Sequence, residues 1–405
     1  MNFSQRALKL DTLLEQHQSF WRFNAYSELG TPHLDKHPAL LTFLLALSDE
    51  AVVELQRNDQ YLLTTLTPYF HAADELHQLI TLNSPPSYGY SEPPSGIPGR
   101  KWQQIQAYIE ANSLQTAEEN TTCDAHHKTK IIEWCSGKGY LGQAAAKRYQ
   151  LKSVGLEIDS SLVTAGNHRA ASTDVDHEII LCDVLSDAVF AQIDHSTQLM
   201  ALHACGGLHQ RLLHVAVTSN SPELSFSPCC YHRFNNGEYR SLSNTLKHSG
   251  LVLNNQDLRT AVRQTSTARS GEITARRQLQ ARYLALRILL DEQGQAANTT
   301  LPSVPQQWSK VEFLDWLSHI LKLKPLTITI PDNINDYEAR GWQQLYIAER
   351  IDLVRMAFRR AIELRCVLDS ILFLEEHEYE CRLSEFCPTS LTPRNLFIRA
   401  TKRRA

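Results

Sequence analysis

The 405-residue sequence lacks any apolar run of the ~18 residues that a membrane-spanning helix needs. Its opening segment, MNFSQRALKLDTLLEQ, is amphipathic and has none of the apolar core of a secretory signal. These two absences lead us to expect no membrane partner. Nine cysteines occur without regular spacing, which in a chain of this length reads as reduced thiols rather than a disulfide framework. The expected compartment is therefore the cytoplasm. Net charge is only −4, so binding of nucleic acid must come from a local patch. No segment repeats.

What is present is globular: 42% apolar and 21% charged residues, in a length that suggests two or three packed units. Residues 1–82 carry apolar side chains at helical spacing, as in LDTLLEQHQSFW, and predict a helical N-terminal unit. Residues 83–99, with five prolines and three glycines, read as a linker. From about residue 130, the runs KIIEWC, SVGLEI, HEIILC, QLMALHA and ELSFSP alternate with helical segments. Such β-α-β units predict a doubly wound parallel sheet over 100–255. Residues 256–375 read as a mainly helical insertion, broken at GQAANTTLPSVPQQW and at an extended LTITIPD. Residues 376–405 read as two strands that close the same sheet, followed by a basic tail.

The stretch IIEWCSGKGYLG, 131–142, ends the first expected strand and opens the first helix. It is not a phosphate loop, because Gly142 is followed by Gln143 and no G-x-x-x-x-G-K-[ST] exists. The glycines fit a dinucleotide spacing, but Glu133 lies on the strand before them and would oppose a pyrophosphate. An acid there suits a cationic ligand. S-adenosylmethionine carries an ammonium and a sulfonium and no phosphate. Glu133 can hold its amino group through water or backbone, while Gly137 and Gly139 let a ligand approach closely. Glu157 ends the second strand and can accept from two ribose hydroxyls. Asp183 follows the third and can accept from an adenine amine. Each acid alone is an ordinary helix cap. Together, in this order, they point to S-adenosylmethionine as cofactor.

These residues also carry a resemblance. IIEWCSGKGYLGQAAA resembles motif I of class I methyltransferases. LMALHACGGL, PCCYHRF and LTPRNLFIRATK resemble one branch, which holds methyltransferase-like, ribosomal RNA adenine dimethylase domain-containing and glutathione S-transferase C-terminal domain-containing proteins. The tRNA 2′-O-methyltransferases of the acceptor stem share similar HxCG and CCxH elements. The likeness covers about 98–250 and 350–402 and specifies the branch, not a substrate. It implies an α/β, Rossmann-like class I methyltransferase sheet, to which the periodicity adds the helical N-terminal unit and the helical insertion. One departure stands out: Cys135 replaces the first glycine of the usual motif.

His203 to Gly207 should end the fourth strand and Pro228 to His232 the fifth, with their tips facing the methyl group. The Asp/Asn-Pro-Pro-aromatic motif of many amino-methylating enzymes is absent there. One reading gives His203 and His232 the acceptor pocket and a general-base role, with His203 also beside the cofactor and Tyr231 stacked on a planar acceptor. A second has Cys205, Cys229, Cys230 and a histidine bind zinc, against which adjacent cysteines are poor partners for one tetrahedral site. A third makes the cysteines small packing residues. The expectation is that the cysteines mainly pack and that no metal binds.

Arg100 and Lys101, at a helix start before the first strand, can meet the methionine carboxylate or a phosphate; the plainer reading has Trp102 and Ile105 in the core. Between 259 and 287 lie seven arginines, Arg276 and Arg277 among them, against Glu272 alone. A solvated helix paired with distant acids is the plain reading, and RNA contact the sharper one. The expectation is methyl transfer to a nitrogen or oxygen of RNA, tRNA or rRNA. The rivals are a protein or small-molecule acceptor, and a non-catalytic cofactor-binding protein associated with RNA.

Overall fold

The computed structural model describes residues 1–83, 85, 88–119, 129–202, 205–233, 239–263, 270–295 and 299–403, without the side chains of 115–119. Seven strands are found among them: β1 Lys130–Trp134, β2 Lys152–Glu157, β3 His177–Leu181, β4 Thr197–Ala201, β5 Glu223–Phe226, β6 Tyr379–Glu385 and β7 Leu396–Lys402. They form one sheet in the order β3-β2-β1-β4-β5-β7-β6. The first five run parallel, and strand order reverses between β1 and β4. Ligands of doubly wound sheets sit outside the carboxyl ends of the strands at such a switch point.

Burial follows from this order. β4 and β5 are buried at every position, and β1 and β2 at all but the first, as strands covered on both faces must be. β3 and β6 lie at the two sheet edges and are partly open. The helices Tyr140–Tyr149, Ser160–Ala170 and Gly207–Thr218 are the crossovers between parallel neighbours. Helix Gly99–Glu119 packs Ile105, Tyr108 and Ile109 into a core with Ile131, Met200 and Phe397. The buried Tyr108 hydroxyl donates to the Ser225 carbonyl at 2.6 Å and accepts from the Ala201 amide at 3.3 Å, so it fastens β4 to β5.

The last two strands do rejoin the sheet, but not in parallel. β7 pairs antiparallel with both β5 and β6. The segment 386–395 between them is too short for a crossover helix, and a hairpin is the remaining solution. Across β5 and β7 the fully buried Arg399 guanidinium donates to both carboxylate oxygens of Glu223, at 3.1 and 2.8 Å.

The chain divides into two compact units. The first holds Met1–Thr12, Ile80–Val262 and Ala361–Ala405, and so contains the sheet; the second holds Leu13–Leu79 and Arg263–Arg360. Helical segments from the two ends of the sequence reading thus share the second unit. Its core centres on Leu286, Leu289, Trp316, Leu317 and Ile320, from helices Ser270–Glu292 and Phe313–Leu323. LTITIPD joins no strand.

Candidate active site

The turn after β1 alternates into the left-handed region three times, with φ of 53° at Cys135, 59° at Gly137 and 70° at Gly139. Glycine adopts this conformation freely, whereas a residue with Cβ carries a cost of about 1–2 kcal/mol. The cysteine that departs from motif I therefore sits where glycine would be relaxed. Gly139 has a second constraint: a Cβ there would stand 2.2 Å from His177 Nε2. Above Gly137 nothing lies within 4 Å, so the backbone is open to a ligand.

Glu157 anchors this turn. Its Oε2 accepts the Gly137 amide at 2.8 Å, and its Oε1 accepts the amides of Ile158 and Asp159, each at 3.0 Å. A carboxylate offers roughly four acceptor positions, so about one is left for a further donor such as a ribose hydroxyl. Asp183 is exposed just beyond β3 and takes the Leu185 amide at 2.9 Å, which fixes its carboxylate at the strand end. Three large apolar side chains stand exposed around these acids: Ile158, Leu181 and Leu185. Ile158 follows Glu157, and Leu181 pairs with Glu157 in register. An apolar surface beside strand-end acids fits the flat face of a nucleobase. Sequence reading passed over these residues because their type predicts burial; only their exposure marks them.

Glu133 is buried near the end of β1 and accepts the Gly142 amide at 2.7 Å, at the first turn of helix Tyr140–Tyr149. Burial pushes its pKa up to about 8, against the opposing pull of that amide and of Lys101. Glu133, Lys101, Gly137 and Tyr140 line a cavity of about 80 Å³. An ammonium entering it would favour the ionised carboxylate. Lys101 belongs to this cavity, whereas Arg100 does not: its Nε and an Nη donate to the carbonyls of Leu391 and Ser390, at 2.7 and 2.9 Å. These donor and acceptor types fit S-adenosylmethionine, and no buried phosphate-binding cation stands in the turn.

At the other strand tips the picture changes. His203 lies outside the described residues. Tyr231 is buried, and its hydroxyl reaches Pro228 O at 3.4 Å and Glu363 Oε1 at 3.3 Å. This corrects the stacking role expected for it, since a ring packed in the core offers no face to an acceptor. His232 is half-buried, and its Nδ1 has no hydrogen-bond partner among the described residues. Burial lowers its pKa, and Arg259, Arg233 and Arg394 lower it further against the opposing effect of Cys230. Its imidazole is therefore neutral at ordinary pH. Cys205, Cys229 and Cys230 come together, with the Sγ atoms of Cys205 and Cys229 3.0 Å apart.

The arginine run is largely spent on acids. Arg277 donates to both oxygens of Glu349 at 2.8 Å, Arg282 to Glu338 at 2.8 Å, and Arg263 pairs with Asp352 at 3.3 Å. Arg269 lies outside the described residues, as does Arg404 of the tail. Arg276 differs. It lines a cavity of about 360 Å³ in the second unit with Tyr26, Arg263, Glu349 and Asp352, and forms no hydrogen bond or ion pair among the described residues. The plain reading of the run holds for the three paired arginines, since their acids lie far off in sequence.

Residues 100–237 match the model of a family described as a methyltransferase domain, which is well under half of the chain. The fold and the strand-end site agree with that class. Among solved structures, the chain is similar to a geranyl diphosphate methyltransferase in complex with GPP and sinefungin, at 14% identity and a TM-score of 0.23, over 31% of this chain and 50% of that one. It is similar to the plantazolicin methyltransferase BpumL in complex with SAH, at 11% identity and 0.25, over 44% and 61%. A geranyl diphosphate C-methyltransferase from Streptomyces coelicolor A3(2) follows at 13% and 0.22, over 36% and 57%. The chain thus spans half to three fifths of these structures, and likenesses this low assign it no substrate. No curated protein matches its sequence. Among the described residues, no helix is long and apolar enough to cross a membrane.

Proposed function

We propose that this chain is an S-adenosylmethionine-dependent methyltransferase. The observation that carries the reading is the left-handed turn hooked by Gly137 onto the Glu157 carboxylate, with Glu133 and Asp183 at the flanking strand ends. When bound, the cofactor supplies an electrophilic methyl group on a sulfonium. The chain's own work is then alignment and proton removal. Glu157 orients the ribose, Asp183 the base amine, and Glu133 with Lys101 the amino-acid end. Neutral His232 is the proposed general base. His203 is part of the same proposal.

RNA, tRNA or rRNA, is the narrower reading of the acceptor. It is supported by Arg233, Arg259 and Arg394 acting together on His232, a cationic rim suited to a phosphate backbone. The likeness of the HxCG and CCxH elements to the tRNA 2′-O-methyltransferases of the acceptor stem supports it too. Arg100, Arg276 and Arg277 are weaker candidates for such contact, since Arg100 and Arg277 are already engaged. The sheet unit carries the transfer site, and the helices of Leu13–Leu79 and Arg263–Arg360 form an accessory body. A reducing compartment, the cytoplasm, belongs to the same proposal; the described cysteines are all free.

Isotope-labelled S-adenosylmethionine, offered with separate RNA, protein and metabolite pools from cells lacking the gene, tests this. Label should enter RNA. Glu157→Ala, which strips acceptors from three amides, should cut cofactor affinity by roughly 100-fold. Label only in protein or metabolites would remove RNA as acceptor. Undiminished cofactor binding by Glu157→Ala would overturn the site itself.

A further inference from the structure

Beyond β4 and β5 three sulfur atoms converge. The Sγ atoms of Cys205, Cys229 and Cys230 all lie within 4.8 Å of one another. Two adjacent cysteines are ordinarily poor partners for one site, because their side chains diverge. Here the chain turns at the pair: the Tyr231 amide donates to Cys229 O at 2.8 Å, which centres a three-residue turn on Cys230. The loop bearing Cys205 is fixed against it. The Gly207 amide donates to Arg233 O at 2.9 Å, and Gly206, at φ 55°, lies so close that a Cβ would overlap that carbonyl. The sulfurs are therefore held by backbone, not by chance rotamers.

We infer that Cys205, Cys229 and Cys230 form a thiolate site for zinc, clamping the tip of β4 to the tip of β5. Zn–S bonds of about 2.3 Å in a tetrahedron space their sulfurs by about 3.8 Å. The Cys205 and Cys229 sulfurs, at 3.0 Å, stand closer than that and would part slightly around the ion, and all three sulfurs lie within 4.8 Å of one another. Three thiolates around a divalent cation leave one negative charge. Arg233 and Arg394 act electrostatically on Cys230 and offset that charge. No histidine or carboxylate joins the three sulfurs among the described residues, so a water or other exogenous ligand takes the fourth position. The clamp is structural and stands whether or not the neighbouring site transfers methyl groups.

The test uses the full chain purified under reducing, anaerobic conditions, with zinc measured by plasma mass spectrometry after dialysis. About one zinc per chain is expected. Cys230→Ser should lose it at least tenfold, and Cys387→Ala, a buried cysteine far from the cluster in sequence, should keep it. If Cys230→Ser does not fold, Co2+ titration of the unmodified chain decides, read by thiolate-to-cobalt charge-transfer absorption. Full zinc retention by folded Cys230→Ser overturns the site. So does a reduced, folded chain that takes up neither zinc nor cobalt, or one isolated with a Cys205–Cys229 disulfide.

Discussion

The two halves of the sheet's carboxyl edge handle charge in opposite ways. At β1, β2 and β3, carboxylates end the strands and backbone amides hold them: Gly142 on Glu133, Gly137, Ile158 and Asp159 on Glu157, Leu185 on Asp183. At β4 and β5 the strand tips carry sulfur and imidazole, and the charges near them are Arg233, next in sequence to His232, and Arg259 and Arg394 from distant segments. The first half is built from local geometry, where a strand end and its following turn supply both partners. The second is built from long-range meetings. One half is thus preorganised by its own backbone, and the other depends on the completed sheet.

That contrast is open to attack, first where charge is buried deepest. Arg399→Leu removes the bidentate guanidinium from buried Glu223, and removal of one partner of a buried pair costs about 3–5 kcal/mol. Urea unfolding should show this loss, and a loss below about 1 kcal/mol would mean that the β5–β7 contact is not held by charge. A smaller effect belongs to Glu133. Its folded pKa lies above its ordinary value, so its favourable contribution is complete at acid pH and disappears as pH rises from about 4.5 through about 8. Glu133→Gln should therefore gain on the unmodified chain across that window, by at least about 1 kcal/mol above pH 8. Equal melting temperatures for the two chains at pH 5 and pH 9 would refute the burial argument. The smallest effect is expected at Cys135. Glycine there relieves a left-handed cost of about 1–2 kcal/mol and gives back about 0.5–1 in chain entropy, a net gain of roughly 0.5 kcal/mol. Destabilisation by Cys135→Gly would show that the thiol packs more strongly than the turn strains.

Legibility followed the same division. Glu133, Glu157 and Asp183 could be placed from sequence because each needs only a strand end and a spacing. The alternation of apolar runs likewise foretold the parallel strands. The antiparallel β7 was within reach too, had the ten residues after β6 been weighed as a hairpin loop. The arginines misled because a run of charge says nothing about acids far away: Asp49, Glu338, Glu349 and Asp352 neutralise much of it from other helices. Tyr231 misled for a related reason, since its motif fixes its position but not the Glu363 side chain that it meets. The convergence of Cys229 and Cys230 depends on a turn that no residue type in PCCYHRF announces.

The place of β7 inside the sheet has a consequence for biosynthesis. Until residues 396–402 emerge from the ribosome, β5 has no neighbour on one side, and its backbone donors and acceptors there are an open template for another chain. The helical stretch between β5 and β6 prolongs that interval by more than a hundred residues of translation. A nascent chain of this protein therefore carries an unfinished sheet through most of its second half, and its need for chaperone cover should peak just before the final strand is made.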